Sequence, residues 1–121
     1  MTRLAKAGVA MTPSKAAAVR NVSVTDLGCD ARRPRVIDVR EPGEFNGEFG
    51  HIPGAELVPL ATLDGAAEAW SKDAPLLVVC RSGARSSTGA LRLVALGFRD
   101  VRNLEGGMQA YVRAGLPVER R

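Results

Sequence analysis

The residues best placed to do chemistry stand in one run, Cys80-Arg81-Ser82-Gly83-Ala84-Arg85-Ser86. A cysteine reacts as its thiolate, and a free thiol titrates near ~8.5. Two arginines close behind Cys80 add positive charge that favours the thiolate. Gly83 lets the backbone bend so that successive N–H groups point inward, a nest suited to an anion or a sulfur. A helix starting just beyond would add unpaired N–H groups and a positive end. Such surroundings bring a thiol into the ~3.5–7.5 range of reactive cysteines. The plainer alternative is a small apolar side chain at a strand end, since free cysteines are often simply buried. An Arg-Ser-Gly-Ala-Arg turn sets Cys80 apart from that case. We read it as a nucleophile, with Arg81 to Ser86 as its anion-binding turn.

The flanking elements place this turn. Leu76-Leu77-Val78-Val79 is an unbroken apolar run, the pattern of a short strand buried on both faces in a parallel sheet. Ser86 to Leu96 reads as a helix, with Ala90, Leu91, Val94 and Ala95 on its apolar face. Cys80 therefore falls at the carboxyl end of a buried strand, where sites gather in open α/β sheets.

Three other residues could carry chemistry. Asp38 lies inside the apolar run Arg35-Val36-Ile37-Asp38-Val39-Arg40. Burying a bare carboxylate costs several kcal/mol, so loop N–H groups or an arginine should pair it, and we read it as structural. His51 is the lone histidine, so a cysteine–histidine pair is one option. It sits in the tight loop Gly50-His51-Ile52-Pro53-Gly54-Ala55, which favours a loop-fixing hydrogen bond over a general base. Cys29 has no cationic pattern tuned to it and reads as structural, with a resolving thiol as the alternative.

Composition narrows the classes. The chain has 121 residues, enough for one domain with a real core. Its net charge of +4 comes mostly from scattered arginines, and no aromatic–basic alternation marks a nucleic-acid face. That balance suits small anionic molecules, or simply solubility. Two cysteines are no disulfide framework, and one histidine without a C-x-x-C pattern makes a zinc site improbable, so no metal or cofactor is expected. No apolar run approaches ~18 residues, and the N-terminus is a poor secretory signal, so no membrane role is expected. A reducing cytoplasm is the expected setting.

Along the chain, residues 1–20 read as an N-terminal extension, disordered at first, with Thr12-Pro13 opening a short helix over Ser14 to Arg20. The domain is expected over 21–121. Asn21 to Val24 reads as an edge strand and Thr25-Asp26-Leu27 as a brief helical turn. Arg35 to Arg40 is the next strand, and Glu41 to Phe45 a turn into a short helix. Glu56 to Leu60 is a short strand limited by Pro59. Leu63 to Trp70 is a helix, Phe98 to Leu104 a strand, and Met108 to Ala114 a final helix. Alternating strands and helices predict one α/β domain with a mostly parallel sheet.

Taken together, these residues resemble a single-domain rhodanese over about residues 22–118. The resemblance rests on Asp38-Val39-Arg40-Glu41-Pro42 with Glu44-Phe45, on Gly50 to Ala55 followed by Pro59-Leu60, and on Cys80 to Ser86. It continues through Gly97-Phe98, Val101, Leu104, Gly106-Gly107 and Ala114 to Val118. It implies a five-stranded, mostly parallel sheet flanked by helices on both faces. It also implies a cysteine that takes a sulfane sulfur from a donor such as thiosulfate and passes it to cyanide or a thiol. Carried over by position, Cys80 is the nucleophile and persulfide carrier. The backbone of Arg81, Ser82, Gly83, Ala84, Arg85 and Ser86 is its cradle, and Arg81 and Arg85 hold the donor's anionic end and stabilise the thiolate. Asp38, Arg40 and His51 are structural support. Tyr111 and Leu57 stand where the family commonly has tryptophan and asparagine, a difference in packing and in a loop hydrogen bond.

Two other classes compete with this reading. Cysteine phosphatases place arginine six positions after the cysteine, whereas Arg85 is at five and position six is Ser86. The tighter loop suits a single sulfur better than a phosphate, though a short-loop arsenate reductase of rhodanese type stays open. A persulfide carrier or interaction module acting on a protein partner is the other alternative.

Overall fold

The computed structural model describes residues 18–27 and 33–120. Cys29 and the extension through residue 17 lie outside the described residues. Five parallel strands form one sheet. They are β1 (Val19–Val22), β2 (Arg35–Asp38), β3 (Glu56–Leu57), β4 (Leu76–Val79) and β5 (Val101–Leu104). Their spatial order is β1-β5-β4-β2-β3, so β4 lies at the centre. Helices α1 (Pro42–Phe45), α2 (Leu63–Ala67) and α3 (Ala84–Ala95) lie between successive strands from β2 to β5, and α4 (Gly107–Arg113) follows β5. This is the α/β sheet that the sequence predicts.

Side chains alternate across a strand, so β4 feeds two cores. Leu76, Val78 and Cys80 join Ile37, Leu63, Ala90, Leu93, Phe98 and Val101 on the side of α2 and α3. Leu77 and Val79 join Ile52, Leu104, Met108 and Tyr111 on the side of α4. All four residues of β4 are buried, and each contributes about 1.5–3 kcal/mol. Tyr111 fills its position in the second core and donates its hydroxyl to the Pro117 carbonyl at 2.7 Å.

Several elements depart from the sequence reading. Val19 and Arg20, expected at the end of a helix, are in β1, because their backbone pairs in register with Val101 and Arg102. That strand ends at Val22 rather than Val24, and Val24–Asp26 forms a 3-10 turn. The buried face of α3 runs through Ser86, Gly89, Ala90 and Leu93, while Leu91 is 61% exposed and Ala95 is also exposed. Hydropathy overlooks that stripe because a serine and a glycine occupy it. Gly89 lets α3 approach α2 closely: a Cβ there would lie 3.1 Å from Leu63. Beyond β3 the chain keeps bonding alongside β2, Val58 to the Asp38 carbonyl and Leu60 to that of Val39, skipping Pro59, which has no N–H. Helix α2 stops at Ala67, and the turns through Trp70 tighten to bonds three residues apart. No described helix is long and apolar enough to cross a membrane.

Candidate active site

Cys80 follows the last residue of β4, and α3 starts at Ala84. The chain must reverse between them, and Gly83 makes this possible with a φ of 109°, in the left-handed region that favours glycine. The Gly83 N–H donates to Sγ at 3.1 Å. On the other side of the turn, Met108 N–H donates to the Cys80 carbonyl at 2.8 Å and Gln109 N–H to the Arg81 carbonyl at 3.0 Å. A trans peptide points its N–H opposite to its carbonyl. With the Arg81 carbonyl drawn toward α4, the Ser82 N–H is turned toward the sulfur. Gly107 permits this approach, since a Cβ there would collide with the Cys80 carbonyl and the Arg81 backbone.

The electrostatics follow from the same geometry. Burial pushes the Cys80 thiol up, but the Ser86 hydroxyl and the N–H groups of Ser86, Gly83 and Ser82 outweigh it and hold the thiol below its ordinary value. The turn's N–H groups and the Ser86 hydroxyl therefore favour the thiolate form over the buried thiol. A cavity of about 880 Å³ lies elsewhere, lined by Arg20, Leu27, Arg35 and Tyr111 among others, and includes no residue of the turn.

The predicted residues fall in different places. Arg81 is exposed, its guanidinium 5.0 Å from the centre of the Phe49 ring. Arg85 is half-buried and held by Glu44 through two bonds of 2.8 Å. The arginine pushes the Glu44 carboxyl down to about 2, despite the opposing effect of burial. Arg85 also interacts through its charge with Cys80. Ala84 is the first residue of α3, and the Ser86 hydroxyl donates to the Gly83 carbonyl or to Asn103 Oδ1.

Asp38 and Arg40 form a buried pair, with Arg40 Nε on Oδ1 and a terminal nitrogen on Oδ2, each at 2.8 Å. Arg40 also donates to the Gly50 carbonyl at 2.7 Å and so ties β2 to the His51 loop. His51 donates Nδ1–H to the Phe45 carbonyl at 2.9 Å and stacks on the Phe45 ring. Its backbone exchanges two hydrogen bonds with Glu119. Among the described residues no cluster of ligating side chains could hold a metal ion.

Sequence reasoning missed Glu44 as the partner of Arg85, the N-terminus of α4 as the anchor of the turn, and Asn103. The last gave no hydropathy signal, since Arg102 and Asn103 are both polar in a four-residue strand, yet both are buried.

Known proteins share this fold and part of its sequence. The family model of the rhodanese-like domain matches residues 23–114. A sulfurtransferase of Allochromatium vinosum is 36% identical over 96 residues, covering 79% of this chain and 88% of its own. The uncharacterized protein YqhL of Bacillus subtilis is 38% identical over 80 residues, 66% of this chain but only 62% of its own length. The crystal structure of a rhodanese-related protein from Thermoplasma volcanium superposes with a TM-score of 0.74 at 31% identity, over 84% of this chain and 99% of that one.

Proposed function

The chain belongs to the rhodanese-like domain family, and on that footing we propose that it is a sulfurtransferase that carries sulfur as a persulfide on Cys80. The Cys80 thiolate attacks the outer sulfur of a donor such as thiosulfate. The donor's S–S bond breaks, and sulfite leaves with the electron pair. Cys80 then bears one extra sulfur as a persulfide anion, which the N–H groups of the turn stabilise. Cyanide or a thiolate attacks that terminal sulfur. The persulfide bond breaks, thiocyanate or a new persulfide departs, and the Cys80 thiolate returns. Neither step needs an outside oxidant or reductant.

The observation that carries this reading is the Gly83 N–H on Sγ at 3.1 Å, in a turn whose carbonyls are drawn away by α4. The name of the Allochromatium vinosum relative supports it. Arg81, exposed beside Cys80, takes the anionic end of the donor, and Arg85 supplies fixed positive charge from its place on Glu44. Acceptors include cyanide, small thiols and a protein thiol. A reducing cytoplasm is the setting in which Cys80 stays ready.

Steady-state kinetics test the reading. Varying thiosulfate at several cyanide concentrations should give the parallel lines of a two-step exchange, and Cys80→Ser should be inactive yet folded. Full activity in Cys80→Ser, or turnover of arsenate or an aryl phosphate in place of thiosulfate, would refute it.

A further inference from the structure

We propose that Asn103 is a positioning residue for Cys80, one that lets the Ser86 hydroxyl turn from an amide acceptor to the sulfur. This rests on the persulfide reading above. Ser86 is fully buried on α3, and Asn103 is buried on β5. The Ser86 hydroxyl donates to Asn103 Oδ1, and Asn103 Nδ2 donates to Asn21 Oδ1 at 3.0 Å. Asn21 and Asn103 are register partners on neighbouring strands, so the two amides lie side by side on one face of the sheet. The Ser86 hydroxyl sits in the turn that holds the sulfur: it lies 3.2 Å from the Gly83 carbonyl, the Gly83 N–H donates to Sγ at 3.1 Å, and the hydroxyl is among the groups that lower the Cys80 thiol. A polar chain thus runs from the turn around the cysteine through Ser86 and Asn103 to strand β1.

A hydroxyl has one proton to give. It faces three acceptors: Asn103 Oδ1, the Gly83 carbonyl at 3.2 Å and, once Cys80 ionises, the thiolate. A side-chain amide carries a donor and an acceptor that exchange places when it rotates by half a turn. With Cys80 as a thiol, Ser86 donates to Asn103 and Asn103 to Asn21. With Cys80 as a thiolate, both amides reverse: Asn21 donates to Asn103, Asn103 to Ser86, and Ser86 to the sulfur. The ionised state gains a bond to sulfur and loses none. Without Asn103, Ser86 must give up the Gly83 carbonyl to serve the sulfur, and that gain vanishes. The same reversal serves the persulfide exchange, in which the charge leaves Sγ for the outer sulfur once per cycle and returns once.

The charged group that acts on Cys80 is Arg85, itself held by Glu44 from α1 and within the field of Asp38, which pairs with Arg40; the exposed Arg81 is next in the chain. Helix α4 brings the backbone N–H groups of Met108 and Gln109 to the turn. A change at Asn103 leaves all of these in place.

The test is the pH dependence of iodoacetamide alkylation at Cys80, read by peptide mass, with no sulfur donor present. Asn103→Leu should raise the midpoint by about one pH unit. In a Ser86→Ala background the same substitution should add nothing, because the hydroxyl it acts through is gone. The side-chain amide resonances of Asn103 in the wild-type protein, followed by nuclear magnetic resonance, should move with the Cys80 midpoint and stay fixed in Cys80→Ser. That measurement stands even if Asn103→Leu fails to fold. An unchanged midpoint in Asn103→Leu, an equal rise with and without Ser86, or amide resonances indifferent to the Cys80 titration would overturn the proposal. A wild-type protein that takes up no sulfur would refute the transferase reading and leave this titration intact.

Discussion

Arg85 grips Glu44 with both terminal nitrogens, each bond 2.8 Å long, and so joins the first turn of α3 to α1. This pair decides what Arg85 can do. Two of its five N–H groups are committed to the carboxylate, which fixes its position, and its charge reaches Cys80; under the proposed reading the donor's anionic end falls to the exposed Arg81. Glu44 in turn is ionised at any ordinary pH.

The pair gives a signed pH prediction. Its carboxyl is lowered from 4.5 to about 2 in the folded chain. A depressed carboxyl stabilises the fold above its unfolded value, and that contribution fades as pH falls through the folded value. Both side chains are about a third exposed, which limits the contribution to about 1 kcal/mol. Urea unfolding at pH 6 should therefore show Glu44→Gln less stable by about 1 kcal/mol, with most of the gap closed by pH 2.

Asp38 and Arg40 make a harsher case, since both side chains are almost wholly buried. Asp38→Ala strands the guanidinium inside the protein and should cost about 3–5 kcal/mol in denaturant unfolding. Asp38→Leu combined with Arg40→Leu should cost less than the sum of the single changes, because neither charge is then left alone.

Arg81 is exposed and should matter to the substrate rather than to the fold. Arg81→Ala should change stability by less than about 0.5 kcal/mol. It should raise KM for thiosulfate roughly tenfold while barely moving KM for a neutral sulfane donor, as the loss of a charge-assisted contact requires. Equal rises for both donors would mean that Arg81 acts on the thiolate instead.

Gly107 tests the anchoring of the turn by α4. Its φ is +56°, and a Cβ would strike the Cys80 carbonyl. Gly107→Ala should lose about 1–3 kcal/mol of stability and slow sulfur uptake in the same protein, because the bonds that orient the Ser82 N–H are pushed apart.

Much of this architecture was legible in the chain. The unbroken run of β4 announced a strand buried on both faces, and the glycine after Cys80 announced the reversal into α3. What stayed hidden depended on contacts between distant segments. Glu44 lies 41 residues from Arg85, and spacing cannot pair them. The buried stripe of α3 passes through Ser86 and Gly89, whose value lies in what they touch rather than in hydropathy. Val19 and Arg20 look helical beside the alanines before them, yet pairing with β5 decides their conformation. Asn103 stayed hidden too, because Arg102 beside it makes the strand look half-exposed although both are buried.

The most direct measurement is the intact mass of the purified protein after thiosulfate treatment, followed by a cyanide chase, for wild type and Cys80→Ser. The wild-type chain should gain the mass of one sulfur atom and lose it on adding cyanide, and Cys80→Ser should gain none. A wild-type chain that gains no sulfur, or a Cys80→Ser chain that gains it equally, would contradict a persulfide carried on Cys80.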